Sequence, residues 1–172
     1  TDYEEIQKLR GPKYGAVILD EVQSMKAVIQ RVSSASVSVA NKKISNIGIG
    51  LLILLGVAKG DVKKDIDYLA KKTAELRIFK DDHKNMNLSV QDVNGEALVV
   101  SQFTLCADTN KGRRPSFVSA AEPKIAENMY ELYCQKLQLF GIPVSKGKFG
   151  SMMIVELIND GPVTVYLDSQ TV

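Results

Sequence analysis

From Met25 onward, apolar and polar positions alternate with the period of a β-strand. Ala27, Ile29 and Arg31 fall on one face, and Val28, Gln30 and Val32 on the other. This predicts a strand, a bend over Ser33–Ser36, and a second strand in which Val37 and Val39 resume the alternation. Lys42-Lys43 then predicts a turn and Ile44–Ile47 a short return strand. Gly50–Val57 (Gly-Leu-Leu-Ile-Leu-Leu-Gly-Val) is apolar on both faces and bounded by glycines, as a central strand is. The period next becomes helical. Val62, Ile66, Leu69, Ala70, Thr73 and Leu76 form one stripe of a helix capped by Asp61 or Asp65 and running to about Arg77. Leu88–Val93, Asn94-Gly95 and Glu96–Leu105 predict a hairpin, because Asn-Gly supplies the positive φ angles of a two-residue turn. Its second arm takes Val99 and Val100 into the core and carries Ser101, Gln102 and Thr104 out of it. A second helix over about Pro123–Phe140 buries Ala126, Met129, Tyr130, Tyr133, Leu137 and Phe140, and Gly141 stops it. Strands over Val144–Lys146, Met152–Ile158 and Val163–Leu167 complete about eight strands and two long helices, an α/β class.

The opening segment fits this pattern poorly. Tyr3–Arg10 reads as a short helix ended by Gly11-Pro12, and Ala16–Leu19 as strand-like. We expect residues 1–24 to be an extension or an added remnant, and residues 25–172 to form a single domain. Hydrophobic residues make up 45% and charged residues 24%, which is globular composition, not disordered. A net charge of +2 gives no global electrostatic case for nucleic acid, so any such contact must come from local patches. Cys106 and Cys134 stand apart without C-x-x-C spacing, which points to reduced thiols and not to zinc or a disulfide framework. No apolar run reaches membrane length and no signal pattern opens the chain, so no membrane association is expected and the cytoplasm is the expected compartment.

Candidate chemistry is constrained mainly by what is missing. His83 is the only histidine and falls in a polar loop, and there is no nucleophile elbow, phosphate-binding P-loop or metal-ligand cluster. Gly48-x-Gly50 precedes its strand instead of following it and is not a dinucleotide fingerprint. Neither a metal nor a cofactor is expected. What remains is the polar strand end Ser101–Thr104, whose hydroxyls and amide need partners or a ligand. Two basic stretches accompany it. Lys111-Gly112-Arg113-Arg114 suits a phosphate contact, and Lys146-Gly147-Lys148-Phe149-Gly150 sets an aromatic beside glycines and cations, where the ring can stack on a base and the lysines can meet phosphate. Such a site can orient a reactive substrate and stabilise an oxyanion with backbone N–H groups.

Three motifs in order carry a resemblance: Met-Lys-Ala-Val-Ile-Gln-Arg-Val from Met25, Ser-Gln-Phe-Thr-Leu from Ser101, and Asn-Asp-Gly-Pro-Val-Thr from Asn159. With Arg-Pro-Ser-Phe and Lys-Phe-Gly between them, the chain resembles the D-aminoacyl-tRNA deacylases from Met25 to about Asp168. The resemblance implies curved, mainly antiparallel sheets forming a barrel-like body with two packed helices, in a homodimer. It implies hydrolysis of the ester between a D-amino acid, or glycine, and the acceptor end of its tRNA, aided by the terminal ribose 2′-OH. Ser101, Gln102, Phe103 and Thr104 would line the aminoacyl pocket as its catalytic group. Gly161 and Pro162 of the partner subunit would enter that pocket through a cis peptide bond and exclude L side chains. Phe149, Gly150 and Met153 would hold the terminal adenosine, and Arg31 would brace the Gly-Pro turn. Two alternatives accompany this reading. One is a nucleic-acid-binding accessory protein, since some relatives are associated with DNA replication origins; the other is a hydrolase with Thr104 as nucleophile, which would need an activating base.

Overall fold

A computed structural model describes residues 24–171. Its spine is β1 (Lys26–Val39), one continuous strand where the sequence predicts two. On one edge it pairs with β8 (Ile154–Asp168) over nearly its whole length. The other edge is shared, with β2 (Lys42–Ile47) along the second half and β3 (Gly50–Gly56) along the first, all antiparallel. β6 (Glu96–Ser101) lies parallel to β3, and β7 (Val144–Lys146) parallel to β6. The curved sheet is therefore mixed and nearly closed, with antiparallel pairing concentrated around β1.

The predicted bend at Ser33–Ser36 is a β-bulge inside β1. Val32 faces Asn159 and Ser34 faces Ile158, leaving Ser33 extra. One extra residue reverses which side chains face inward. Ala27 and Ile29 pack into a cluster beneath the helices, whereas Val32, Ala35 and Val37 pack into a second cluster on the other face of the sheet. β3 feeds both, with Leu51, Ile53 and Leu55 toward the helices and Leu52 away from them, as its two-sided apolar pattern requires.

Helix α1 (Lys63–Glu75) and helix α2 (Pro123–Leu139) pack on each other over the first cluster. Asp65, not Asp61, serves the start of α1: its carboxylate accepts the Val62 N–H at 2.8 Å, while Asp61 accepts the Ala58 N–H one turn earlier. Pro123 occupies the first turn of α2, and Gly141 follows its end at φ +84°. Tyr130, Tyr133 and Leu137 of α2 are fully buried, each contributing roughly 1.5–3 kcal/mol. The Tyr133 and Thr73 hydroxyls meet at 2.8 Å, which satisfies both between the helices.

The predicted Asn-Gly hairpin does not form. After β4 (Phe79–Lys80) and β5 (Met86–Leu88), which pair with each other, residues 89–95 make a single helical turn. The Gly95 N–H bonds Val90 O at 2.8 Å and the Asn94 N–H bonds Gln91 O at 3.0 Å, the Schellman pattern, with Asn94 left-handed at φ 52°. Asn-Gly fits this helix end as well as a hairpin. β6 consequently takes parallel neighbours. The segment before Ser24 lies outside the described residues.

Candidate active site

β6 ends at Ser101, and the strand predicted to reach Leu105 gives way to a 3-10 turn over Phe103–Cys106. Gln102 still donates its N–H to Leu55 O at 2.8 Å before the chain folds back over Gly56. A Cβ at position 56 would lie 2.9 Å from Leu105 Cβ and 3.1 Å from Gln102 O, so only glycine admits the fold-back. The turn brings Phe103 and Thr104 to the surface. Gln102 Nε2 donates to Thr104 Oγ1, so the two polar side chains partner each other. An amide donor cannot take the hydroxyl proton, and this contact gives Thr104 no base.

Beside the turn lies a cleft of about 760 Å³, mostly apolar in its lining. Ser101, Gln102 and Phe103 form one wall, and Phe149, Gly150 and Met153 another. These six anticipated residues thus share one cavity, with Thr104 exposed just outside its lining. The sequence reading did not single out Lys59, Val118, Glu122 or Met152, which also line it. Beyond those six, Phe117 belongs to a motif of the resemblance, Arg-Pro-Ser-Phe; its ring meets Phe103 edge-on at 5.0 Å.

The Phe149 wall is built locally. Ser151 N–H bonds Lys148 O at 3.1 Å and Gly150 has φ +75°, closing a turn that presents Phe149. The Lys148 N–H points at Met153 Sδ, 3.4 Å away. This loop is latched to β6 at Val99 O, which accepts both the Gly147 N–H at 3.0 Å and the Tyr130 hydroxyl at 2.7 Å. The Tyr130 ring lies against Phe149, with centroids 6.1 Å apart. Burial holds the Tyr130 phenol far above its usual range, so it stays a donor. Behind the 3-10 turn, burial likewise raises the Cys106 thiol, whose Sγ faces Val57 O at 3.6 Å. Neither cysteine nor histidine lines the cleft, and among the described residues no cluster of three or more His, Cys, Asp or Glu could hold a metal. His83 is exposed in a turn organised by Asp81.

Gly161 and Pro162 stand elsewhere. The two strands predicted around them are one, β8, whose residues 160–163 bulge between the Thr164–Gln30 and Asn159–Val32 pairs. A bulge suits Pro162, which lacks an N–H to give to a ladder. The Gly161–Pro162 bond is cis, as the resemblance implies, and both residues are exposed. Asn159 Oδ1 accepts the Val163 N–H at 2.7 Å across the bulge. Arg31 is no surface residue at 3% exposure: its Nε donates to Asp160 O at 2.8 Å and its Nη1 to Ile78 O at 2.6 Å. Within one chain, then, the Gly-Pro bulge does not line the cleft.

The family model for D-Tyr-tRNA(Tyr) deacylase matches residues 28–168. The chain belongs to this family. It is 56% identical to the D-aminoacyl-tRNA deacylase of Desulfatibacillum aliphaticivorans over 146 residues, covering 85% of this chain and all of that one. With the D-aminoacyl-tRNA deacylase of Roseiflexus castenholzii it shares 59% identity over 145 residues, 84% of this chain and 92% of the relative. Among solved structures it is similar to a c-Myc DNA unwinding element binding protein, with TM-score 0.78 and 40% identity over 83% of this chain and 97% of the other. A probable eukaryotic D-amino acid tRNA deacylase shares the fold at TM-score 0.72 and 17% identity, over 84% of this chain and 99% of that one. The deacylase family thus accounts for both the motifs and the architecture. No helix among the described residues is long and apolar enough to cross a membrane.

Proposed function

We propose that this chain hydrolyses the ester joining a D-amino acid, or glycine, to the acceptor end of tRNA, as a cytoplasmic homodimer whose catalytic domain spans residues 25–172. The observation that carries the reading is the gathering of Ser101, Gln102 and Phe103 opposite Phe149, Gly150 and Met153 around one cleft. In this reading the terminal adenosine stacks on Phe149 beside Gly150 and Met153. The ester lies along the Ser101–Thr104 wall, where the first backbone N–H groups of the 3-10 turn face the developing oxyanion. Water adds to the ester carbonyl, the ribose 2′-OH assists the proton transfer, and the tetrahedral intermediate expels the ribose 3′ oxygen. No side-chain base is required, in keeping with the Thr104 environment.

The selective element comes from a second copy. Gly161 and Pro162 are exposed next to Asp160, whose carbonyl Arg31 holds, and in this reading they enter another chain's cleft. Along β8, Ile154, Ile158 and Tyr166 are 59%, 62% and 55% exposed, apolar surface that a second subunit could cover. Carbonyl oxygens of Gly161 and Pro162 of the partner subunit would hold the substrate ammonium and leave no room for an L side chain. Glycine, lacking a Cβ, passes the same filter.

The DNA-binding reading draws on one observation, the 40% identity to a protein titled as a DNA unwinding element binder. One experiment separates the two: D-tyrosyl-tRNA hydrolysis and DNA retention by wild type, Thr104→Ala and Gly161→Ala. Gly161→Ala is expected to lose hydrolysis by at least about 100-fold with DNA retention unchanged, and Thr104→Ala to keep most activity. Wild-type retention of DNA with no hydrolysis of any ester would favour the accessory-protein reading.

A further inference from the structure

The loop between Asp108 and Ser116 is left unused by the cleft chemistry. Two backbone hydrogen bonds between Asp108 and Ser116, at 2.7 and 2.8 Å, close its base, and the Asn110 N–H caps Asp108 Oδ1 at 2.9 Å. Just beyond the base, Phe117 meets Phe103 edge-on, and both rings line the cleft. The loop is thus a shaped arm attached to the cleft rim. Its tip holds Lys111, Gly112, Arg113 and Arg114, all exposed. Gly112 has φ +70°, and nothing lies within 4 Å of where a Cβ would stand, so the backbone there is open to close approach.

Charge partners distinguish this arm from an ordinary solvated loop. The ion pairs among the described residues join Arg31 to Asp160, Lys63 and Lys136 to Asp67, and Lys146 to Glu131. None involves Lys111, Arg113 or Arg114. Lys59 in the lining and Lys148 beside Phe149 likewise have no carboxylate partner among the described residues, and Glu122 is the one acid around the cleft among them. In a chain whose net charge is only +2, the cleft rim collects uncompensated cations. Arginine forks suit phosphate oxygens, and an open glycine lets a sugar–phosphate chain come close.

We infer that the Asp108–Ser116 arm grips the backbone of the single-stranded RNA that leads to the terminal adenosine. This rests on the reading of the cleft as the deacylation site. The arm joins the cleft through Phe117, so a strand leaving the cleft on that side crosses its tip before reaching any duplex. Phosphate contacts of this kind set affinity and register and leave the ester chemistry alone.

The test compares D-tyrosyl-tRNA with D-tyrosyl-adenosine, which has a terminal nucleoside and no backbone behind it. A Lys111→Ala/Arg113→Ala/Arg114→Ala variant is expected to raise KM for the tRNA about 10–100-fold at unchanged kcat, and to flatten the salt dependence of log kcat/KM by about 2. On D-tyrosyl-adenosine it should match wild type. An unchanged KM and salt slope on tRNA would overturn the inference, and so would equal losses on both substrates, which would place the arm's effect inside the pocket. Binding of a short fluorescent RNA ending in CCA is measured in parallel, so the arm is tested even if no ester is cleaved. Loop-dependent RNA binding without hydrolysis would sink the catalytic reading alone; stronger binding of single-stranded DNA of the same sequence would overturn the RNA assignment.

Discussion

Asp61 sits in the turn between β3 and α1, its carboxylate accepting the Ala58 N–H at 2.7 Å. Burial raises it from 3.8 to about 6, against the pull of that hydrogen bond, and the nearby Asp65 charge adds to the rise. The folded state therefore holds the proton more tightly than the unfolded chain. Its contribution to stability is full below pH 3.8 and is lost as pH rises through about 6. Asp61→Asn keeps an acceptor for Ala58 and removes the titration. Urea unfolding of the variant is expected to be flatter between pH 4 and 6, and about 1–2 kcal/mol more favourable to the fold at pH 7, after discounting for partial exposure. Parallel pH profiles for wild type and variant would show that Asp61 is ordinary. Residues whose partners lie far away in the sequence are the least legible ones. Alternation alone puts Arg31 near a strand end, where an arginine ordinarily reaches the surface, and only the resemblance pointed it toward the Gly-Pro turn; its burial depends on Asp160 and Ile78, which lie 129 and 47 positions away. No local pattern encodes that.

At the scale of elements, legibility follows how local the determining interaction is. α2 was readable from Pro123 to Gly141 because its first-turn proline and the glycine at its end act within a turn. β3 was readable because both its faces are apolar. The irregularities at Ser33 and at residues 160–163 read as breaks between strands, because only the register of β1 against β8 shows that each strand continues through a bulge. Asn94-Gly95 misled because left-handed backbone ends a helical turn as readily as it turns a hairpin. The element most consequential for the site is the Gly147–Met153 loop, latched to β6 through Val99 O. Tyr130→Phe removes one of the two donors to that carbonyl and keeps the ring against Phe149. It is expected to raise KM for D-tyrosyl-adenosine about 3–10-fold with kcat within about twofold, the loss of roughly one hydrogen bond spent on positioning. A kcat loss at constant KM would assign Tyr130 a part in the chemical step instead.

In the proposed mechanism the whole molecule carries two half-sites: a cleft beside the end of β6, and a Gly-Pro bulge on β8 that does not line that cleft. The motifs drew attention to both segments, but that Ser101 lines the cleft and Gly161 does not emerges only from the fold. A second copy reunites them in the proposed mechanism, and that reunion gives the filter its handedness. The measurement that bears most directly on this account is hydrolysis of matched D-tyrosyl-, L-tyrosyl- and glycyl-tRNA by the wild-type protein. Rapid loss of the D and glycyl esters with the L ester intact is the expected result. Equal hydrolysis of the D and L esters would contradict the filter, and survival of all three from a dimeric sample would contradict the activity itself.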